Sequence, residues 1–385
     1  MIEKRDGRFW QWIEIDRKAL FSNVRRFRAL AGRRRRLLAV VKANGYGHGL
    51  VETARLALSA GVDWLGVHSA EEGSALRAAG LDAPVLILGP VAPGRCEEAL
   101  RDDLRFTIYD RGTAEDLSEA AVRLRKTARV HVKVETGTNR QGLPVADLTA
   151  FVRRLARLPG IEMEGLSSHF ANIEDTTSLE YPKRQLAQFA EAAALVRKAG
   201  FKIPVRHMAA TAAAIVYPES QFNMIRLGIG LYGLWPSKET YLSCRLRKRN
   251  PFVLKPVLSW RARIAQVRRV PKGAFVGYGC TFRTTRPTRL AVIPVGYADG
   301  YDRGLSNAAH VLFRGKRAAV RGRIAMNFFT ADVTDIPGAA AGGVVTLIGR
   351  DGRETVSAEG LAALAGTIGY EILARLSPTI PRRIV

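Results

Sequence analysis

The sequence predicts an α/β protein: an N-terminal (β/α)8 TIM-type barrel followed by a C-terminal, mostly β domain. Three observations carry this. Eight short apolar runs between Leu37 and Gly228 alternate with stretches whose apolar residues recur near the helical period. Strict alternation of this kind implies parallel strands joined by right-handed crossovers. Beyond about residue 250 the texture shifts to strand-like segments divided by Gly and Pro, and 385 residues leave room for one large and one smaller core. An open doubly wound sheet satisfies the same alternation, so the pattern alone leaves that architecture open.

In chain order the runs are "LLAVVK" (37–42), "WLGV" (64–67), "PVLILG" (84–89), "RFTIY" (105–109), "RVHVKVE" (129–135), "MEGLSSHF" (163–170), "PVRHMA" (204–209) and "FNMIRLG" (222–228). Between them "GLVETARLALSAG" (49–61), "AEDLSEAAVRLRKTA" (114–128) and "LEYPKRQLAQFAEAAALVRKAG" (179–200) carry helical periodicity. The barrel domain is expected over 13–245, the β domain over 250–385 with the first twelve or so residues packed on it, and 237–252 links the two. In the second part "VLSWRARIAQVRRV" (257–270), "RLAVIPVG" (289–296), "HVLFRGKRAAVRGRIA" (310–325) and "VVTLIG" (344–349) read as strands, and "SAEGLAALAG" (357–366) as a helix.

Apolar residues at 47% and charged residues at 25% describe an ordinary globular chain rather than a disordered one. The net charge of +25 raises the question of nucleic acid or an anionic membrane. The basic runs "GRRRR" (32–36) and "CRLRKRN" (244–250) sit at structural boundaries and lack interleaved aromatics, so a solvated basic surface is the reading, with no specific nucleic acid partner. Cys96, Cys244 and Cys280 are odd in number and have no metal spacing, which fits a reducing compartment and no metal. The N-terminus has no apolar signal region and no run reaches the roughly eighteen apolar residues of a membrane span, so a cytoplasmic location is expected.

In a barrel the chemistry sits at the C-terminal ends of the strands. Lys42, Lys133, Arg140, His169, His207, Thr211 and Arg226 all end or follow predicted strands. Each alone is as readily a structural ion pair or a satisfied core group; their common address selects them. A lysine desolvated at such a place loses basicity and can form a Schiff base. Glycines at 45, 47 and 49 let backbone approach a ligand, although the dinucleotide fingerprint fails because Leu50 stands where its last glycine belongs. "RLGIG" offers the N–H groups of Gly228 and Ile229 as a phosphate cradle.

"AVVKANGYGHG" resembles the pyridoxal-phosphate attachment motif of the alanine racemase family, whose fold is a (β/α)8 barrel with a C-terminal β domain. "VKVETGTNRQG", "EGLSSHF", "FNMIRLGIGLYG", "VGYGCTF", "IPVGYADGY" and "GTIGYE" are similar to further family segments in the family's order. The resemblance implies pyridoxal 5'-phosphate as cofactor, alanine as substrate, and a homodimer with active sites shared across the interface. Lys42 would hold the cofactor and serve as base on one face of the substrate Cα. Tyr278, donated by the other subunit, would be the base on the opposite face. Arg226 would face the pyridine nitrogen, supported by His169 and His207. Arg140 and the backbone of Met326 would bind the substrate. Tyr46, Thr211, Gly228, Ile229 and Tyr370 would bind the phosphate, and Lys133 matches a position that is carbamylated in many members.

Four positions depart from the family's common pattern: Thr138 and Gln141 stand for Met and Leu, Ala210 for Asn, and Asn327 for Asp. They leave both bases in place and bear on substrate range and rate. The expected activity is pyridoxal-phosphate-dependent interconversion of L- and D-alanine, supplying D-alanine for peptidoglycan. The alternatives are a serine or broad-specificity racemase on the same fold and a non-catalytic pyridoxal-phosphate-binding protein.

Overall fold

The computed structural model describes residues 9–92, 94–247 and 252–385. Residues 1–8, most of the N-terminal segment expected to pack on the β domain, lie outside the described residues, as do 248–251 of the expected link and basic run. Of the described residues, those within Ala19–Gly45 and Thr53–Lys255 form one compact unit, and the remainder form a second.

The first unit is a nearly closed barrel of eight parallel strands, β2 (Arg36–Val40), β3 (Trp64–Val67), β4 (Val85–Ile87), β5 (Arg105–Ile108), β6 (Ala128–Lys133), β7 (Ile161–Ser167), β8 (Val205–His207) and β9 (Met224–Leu227). They pair in sequence order from β2 to β8, and β9 returns to pair with β2. The last seam, between β8 and β9, is bridged by Arg206 N to Asn223 Oδ1 at 2.7 Å and Arg226 N to Ala209 O at 3.1 Å. Strands β3 and β4 are buried along their whole length, which is why they read as unbroken apolar runs rather than alternating ones. Leu37, Leu38, Leu65 and Phe106 fill the core without exposure. Helices between strands begin on side-chain caps where the sequence supplies them, as Asp110 accepts from Thr113 N at 2.8 Å ahead of Arg111–Leu124. The linking segment contains a helix, Lys238–Arg247, with Cys244 and Thr240 buried.

In the second unit a ten-stranded sheet is built around β1 (Gln11–Ile15), β10 (Leu258–Arg263), β11 (Gln266–Val270), β14 (Thr288–Ile293), β15 (His310–Phe313), β16 (Lys316–Arg321), β17 (Phe329–Asp332), β18 (Val344–Asp351), β19 (Glu354–Val356) and β20 (Arg382–Ile384). A separate hairpin pairs β12 (Phe275–Val276) with β13 (Phe282–Arg283). Here burial alternates with the pleat, as in β10 with Leu258, Trp260 and Ala262 inward. The single run 257–270 divides into β10 and β11, and the run 310–325 folds into the β15–β16 hairpin. Strand β1 pairs antiparallel with β10 and parallel with β20. The fold class expected from the sequence, barrel first and mostly β second, is borne out.

Candidate active site

Strand β2 stops at Val40, and Lys42 follows it by two residues at the barrel's C-terminal mouth. Ala43, Asn44 and Gly45 then form a left-handed turn with φ of 52°, 53° and 60°. Ala43 and Asn44 each accept about 1–2 kcal/mol of strain there. Two contacts hold the turn: Gly45 N donates to Val41 O at 2.7 Å, and Ala43 N donates to Glu72 Oε1 at 2.7 Å. The other Glu72 oxygen accepts from His68 N at 2.7 Å. Burial lowers the basicity of the Lys42 amine, Arg140 and Arg226 lower it further, and Glu72 opposes them. A half-buried lysine with a depressed pKa is the group expected to act as nucleophile and base near neutral pH.

Lys133 ends β6 and is buried. Its Nζ donates to Gln141 Oε1 at 3.0 Å. Burial, then Arg226 and Arg140, push its pKa down to about 8. The loop from Glu135 to Gly142 is pinned by Leu143 N to Lys133 O and by Glu135 N to Leu143 O, at 2.8 and 2.9 Å. Inside it the Glu135 carboxylate accepts from the N–H groups of Gly137, Thr138 and Arg140, at 2.6, 2.6 and 3.3 Å. Burial pushes Glu135 up, yet these donors prevail and hold its pKa low. The loop therefore presents Arg140, itself exposed, from a fixed backbone. Both departures in this loop make bonds, since Thr138 Oγ1 donates to His169 O at 2.8 Å and Gln141 receives Lys133.

Arg226 occupies the third position of β9 and is buried. Its Nη2 donates to the carbonyls of Ser168 and Met208, each at 2.7 Å, and approaches His169 Nδ1 at 3.3 Å. Burial and Arg140 bring its pKa down to about 10, so it remains a cation at neutral pH. His169 lies two residues past β7, and burial followed by Arg226 keeps it neutral. His207 ends β8 and is kept neutral by burial and then Arg226. Lys42, Lys133, Arg140, Arg226, His169 and His207 thus form one electrostatic cluster in which positive charge dominates.

Beside this cluster the helix Thr211–Val216 and the 3-10 turn Ile229–Tyr232 both start without a side-chain cap, at Ala210 and Gly228. Thr211 Oγ1 accepts from Gly228 N at 3.2 Å and Gly230 N at 3.3 Å, which fixes one start against the other. A Cβ at Gly230 would lie 2.5 Å from Thr211 Cγ2 and 2.6 Å from Phe27 Cζ, so only glycine permits this approach. Two uncapped starts with their donors gathered round a hydroxyl suit a phosphate. The lysine of lowered basicity and the buried cation suit the aldehyde and the ring nitrogen of pyridoxal phosphate, so the residues present fit that cofactor.

In the second unit the rings of Tyr46 and Tyr370 stand 6.2 Å apart. Tyr278 is 74% exposed in the β12–β13 loop, where Gly277, Gly279 and Cys280 all have positive φ. Met326 is exposed, and its carbonyl accepts from Ala298 N at 3.0 Å. Asn327 is exposed beside it. Sequence reasoning missed Glu72, Glu135 and a buried set formed by Arg105, Glu164 and His131. The polar residues His131 and Lys133, spaced two apart and alternating with the valines of their strand, were the signal for interior polar chemistry.

The family model described as alanine racemase, N-terminal domain, matches residues 15–236, and that described as alanine racemase, C-terminal domain, matches 257–384. Alanine racemase of Symbiobacterium thermophilum is 41% identical over 377 residues, 98% of this chain and 97% of that one. The crystal structure of alanine racemase from the D-cycloserine producer Streptomyces lavendulae superposes with a TM-score of 0.91 at 35% identity, covering 99% and 98% of the two chains. A histidine racemase from Leuconostoc mesenteroides shares the architecture at a TM-score of 0.88 and 27% identity, covering 98% and 99%. Matched along both of its parts and over nearly its whole length, the chain belongs to the alanine racemase family.

Proposed function

We propose that this chain interconverts L- and D-alanine with pyridoxal phosphate, by removing the Cα proton from one face and returning one to the other. The observation that carries the reading is the cationic cluster at the barrel mouth, with Lys42 of lowered basicity between Arg140 and Arg226. Supplying D-alanine for peptidoglycan is the general role of the family. Bound at Lys42, the cofactor supplies electron withdrawal from the substrate Cα, which acidifies its hydrogen. Thr211 and the N–H groups of Gly228 and Ile229 would hold the phosphate. Arg226 would donate to the ring nitrogen and, keeping its own protons, leave that nitrogen unprotonated. His169, held neutral, lines the same side.

Lys42 Nζ takes or returns the proton on one face, a role that its lowered pKa favours. Tyr278 of the partner subunit serves the other face. The exposure of Phe275, Tyr278, Tyr297, Met326 and Phe328 in the second unit supports a homodimer that covers them. Arg140, with the backbone carried by Met326 of the partner subunit, binds the substrate carboxylate. As a carbamate, Lys133 would carry the negative charge that positions Arg140; as the amine it is held by Gln141. Among the described residues no helix is long and apolar enough to cross a membrane. A cytoplasmic location goes with the racemase reading.

The test is racemisation of L-alanine, D-alanine and L-serine by wild type and Tyr278→Phe, with cofactor absorbance recorded and mass measured by ultracentrifugation. Alanine fastest in the wild type, with loss of most activity but not cofactor in Tyr278→Phe, supports the two-base reading. Serine as fast as alanine favours the broad-specificity reading, for which Ala210 and Asn327 are the motive. Full activity from a monomer sinks the shared site, and cofactor bound without racemisation points to a non-catalytic carrier.

A further inference from the structure

Below Arg226 a line of four polar side chains runs through the barrel interior from strand to strand. Arg105 begins β5, Glu164 lies midway along β7, His131 midway along β6, and His207 ends β8. Arg105 Nε stands 3.3 Å from Glu164 Oε2, Glu164 Oε2 is 3.1 Å from His131 Nε2, and His131 Nδ1 is 2.8 Å from His207 Nε2. His131 is fully buried and His207 is 1% exposed. The β6–β7 ladder shifts register between Val130 and His131, and a Cβ on Gly165 would fall 2.3 Å from His131 Nδ1. The ring has been given its own space, with Trp64 packed 5.7 Å away and the Arg105 guanidinium over that indole at 5.0 Å.

The direction of each hydrogen bond follows from the one below it. Burial pushes the Glu164 pKa up, but His131, Arg105 and Arg129 outweigh it and keep a carboxylate. A carboxylate only accepts, so His131 carries its hydrogen on Nε2, and because burial lowers its pKa and keeps it neutral it offers a lone pair at Nδ1. That lone pair takes a hydrogen from His207 Nε2. Neutral His207 then has an unprotonated Nδ1, a buried atom that meets no partner in the structure. It lies next along the chain to Met208, whose carbonyl accepts from Arg226 Nη2, and after burial Arg226 is the main electrostatic influence on His207.

We propose that Glu164 and His131 are positioning residues: together they fix His207 as the Nε2–H tautomer, so that its unpartnered Nδ1 presents a lone pair, not an N–H, in the field of the Arg226 guanidinium. The opposite tautomer would place an N–H dipole in the field of that cation. The catalytic consequence rests on the racemase reading of the site, whereas the tautomer does not.

The chain has six histidines, few enough to resolve by 15N labelling and two-bond 1H–15N correlation. The wild type should show His131 and His207 both protonated on Nε2. In Glu164→Ala and in His131→Phe, His207 should shift toward the Nδ1–H form, with kcat for alanine reduced on the order of tenfold and KM little changed. Glu164→Gln keeps an accepting oxygen and should restore both the tautomer and most of the rate. His207 protonated on Nδ1 or on both nitrogens in the wild type would overturn the proposal. So would an unchanged tautomer in both disruptive variants, or a changed tautomer with unchanged kcat. A wild type that racemises no amino acid defeats the functional reading instead, and the spectrum still decides the tautomer.

Discussion

Replacing Lys133 by Met tests whether the buried amine under Gln141 is the species that folding accommodates. In the native protein its pKa is about 8, against 10.5 for an unperturbed lysine. The charged form is therefore disfavoured by folding, and between those two pH values the unfolded chain binds more protons than the native one. Native stability should then rise with pH across that window. At about 1.4 kcal/mol for each pH unit, the interval is worth about 3 kcal/mol. Below pH 8 the full cost is carried, because both states are protonated; above about pH 10.5 it disappears.

Lys133→Met removes the titrating group and nothing else that ionises. The stability of wild type minus that of the variant should increase by about 3 kcal/mol between pH 7.5 and 10.5. Guanidinium unfolding at matched protein concentration, in steps of half a pH unit, measures it, and the subtraction cancels the tyrosines and lysines remote from Lys133. A difference flat with pH would refute the reasoning, because it requires that no bare amine of lowered pKa exists in the native state. A carbamate at Lys133 would instead extend the rise below pH 8, because its loss on unfolding returns a lysine that takes up a proton, and 13C-labelled bicarbonate would then reveal a carbamate carbon absent from the variant.

Two further outcomes follow from the hydrogen bonds of the mouth. Glu72→Gln leaves only one oxygen for the N–H groups of Ala43 and His68, so guanidinium unfolding should show a loss of about 1–3 kcal/mol, and an unchanged midpoint would mean that the left-handed turn needs no such clamp. Arg226→Met takes the donor from the Ser168 and Met208 carbonyls, with an expected loss of about 3 kcal/mol. It also removes the second cause, after burial, that holds His169 below its ordinary pKa, so the imidazole resonances of His169 should titrate at higher pH, and an unmoved titration would count against the coupling.

The barrel strands were legible because strands covered on both faces must be apolar throughout, and β3 at Trp64–Val67 has the limits the sequence predicts. Their ends were less so. "LLAVVK" carries no mark at Val40 where β2 stops, because the stop depends on Ala43 and Asn44 taking a left-handed form that alanine ordinarily avoids. Glycines at 45, 47 and 49 announced pliable backbone but not where it begins. Strand β1, "QWIEI", went unread because its partners are residues 258–262 and 382–384, far away in sequence. Glu72 and Glu135 matter only through backbone N–H groups that the fold turns toward them, and no local pattern encodes that. The titratable side chains at strand ends were visible because a charge closing an apolar run is itself a departure from pattern.

The excess of cations at the mouth makes a further demand on any ligand. Arg140 and Arg226 lower both lysines, Lys42 lowers Lys133, and Arg140 lowers Arg226, with Glu72 and Glu135 the carboxylates that push back on the two lysines. An anion entering this cluster favours the charged form of each lysine, so its binding must take up protons wherever a lysine is partly neutral. With Lys133 near 8, the affinity for a simple carboxylate such as acetate should fall several-fold from pH 7.5 to 9, although acetate itself does not titrate in that range. Calorimetry on cofactor-free protein, in two buffers of different ionisation heat, measures both the affinity and the proton uptake. Equal affinity at the two pH values with no uptake would show that the lysines do not sense the anion, and the mouth would then owe its carboxylate binding to Arg140 and Arg226, which stay charged throughout.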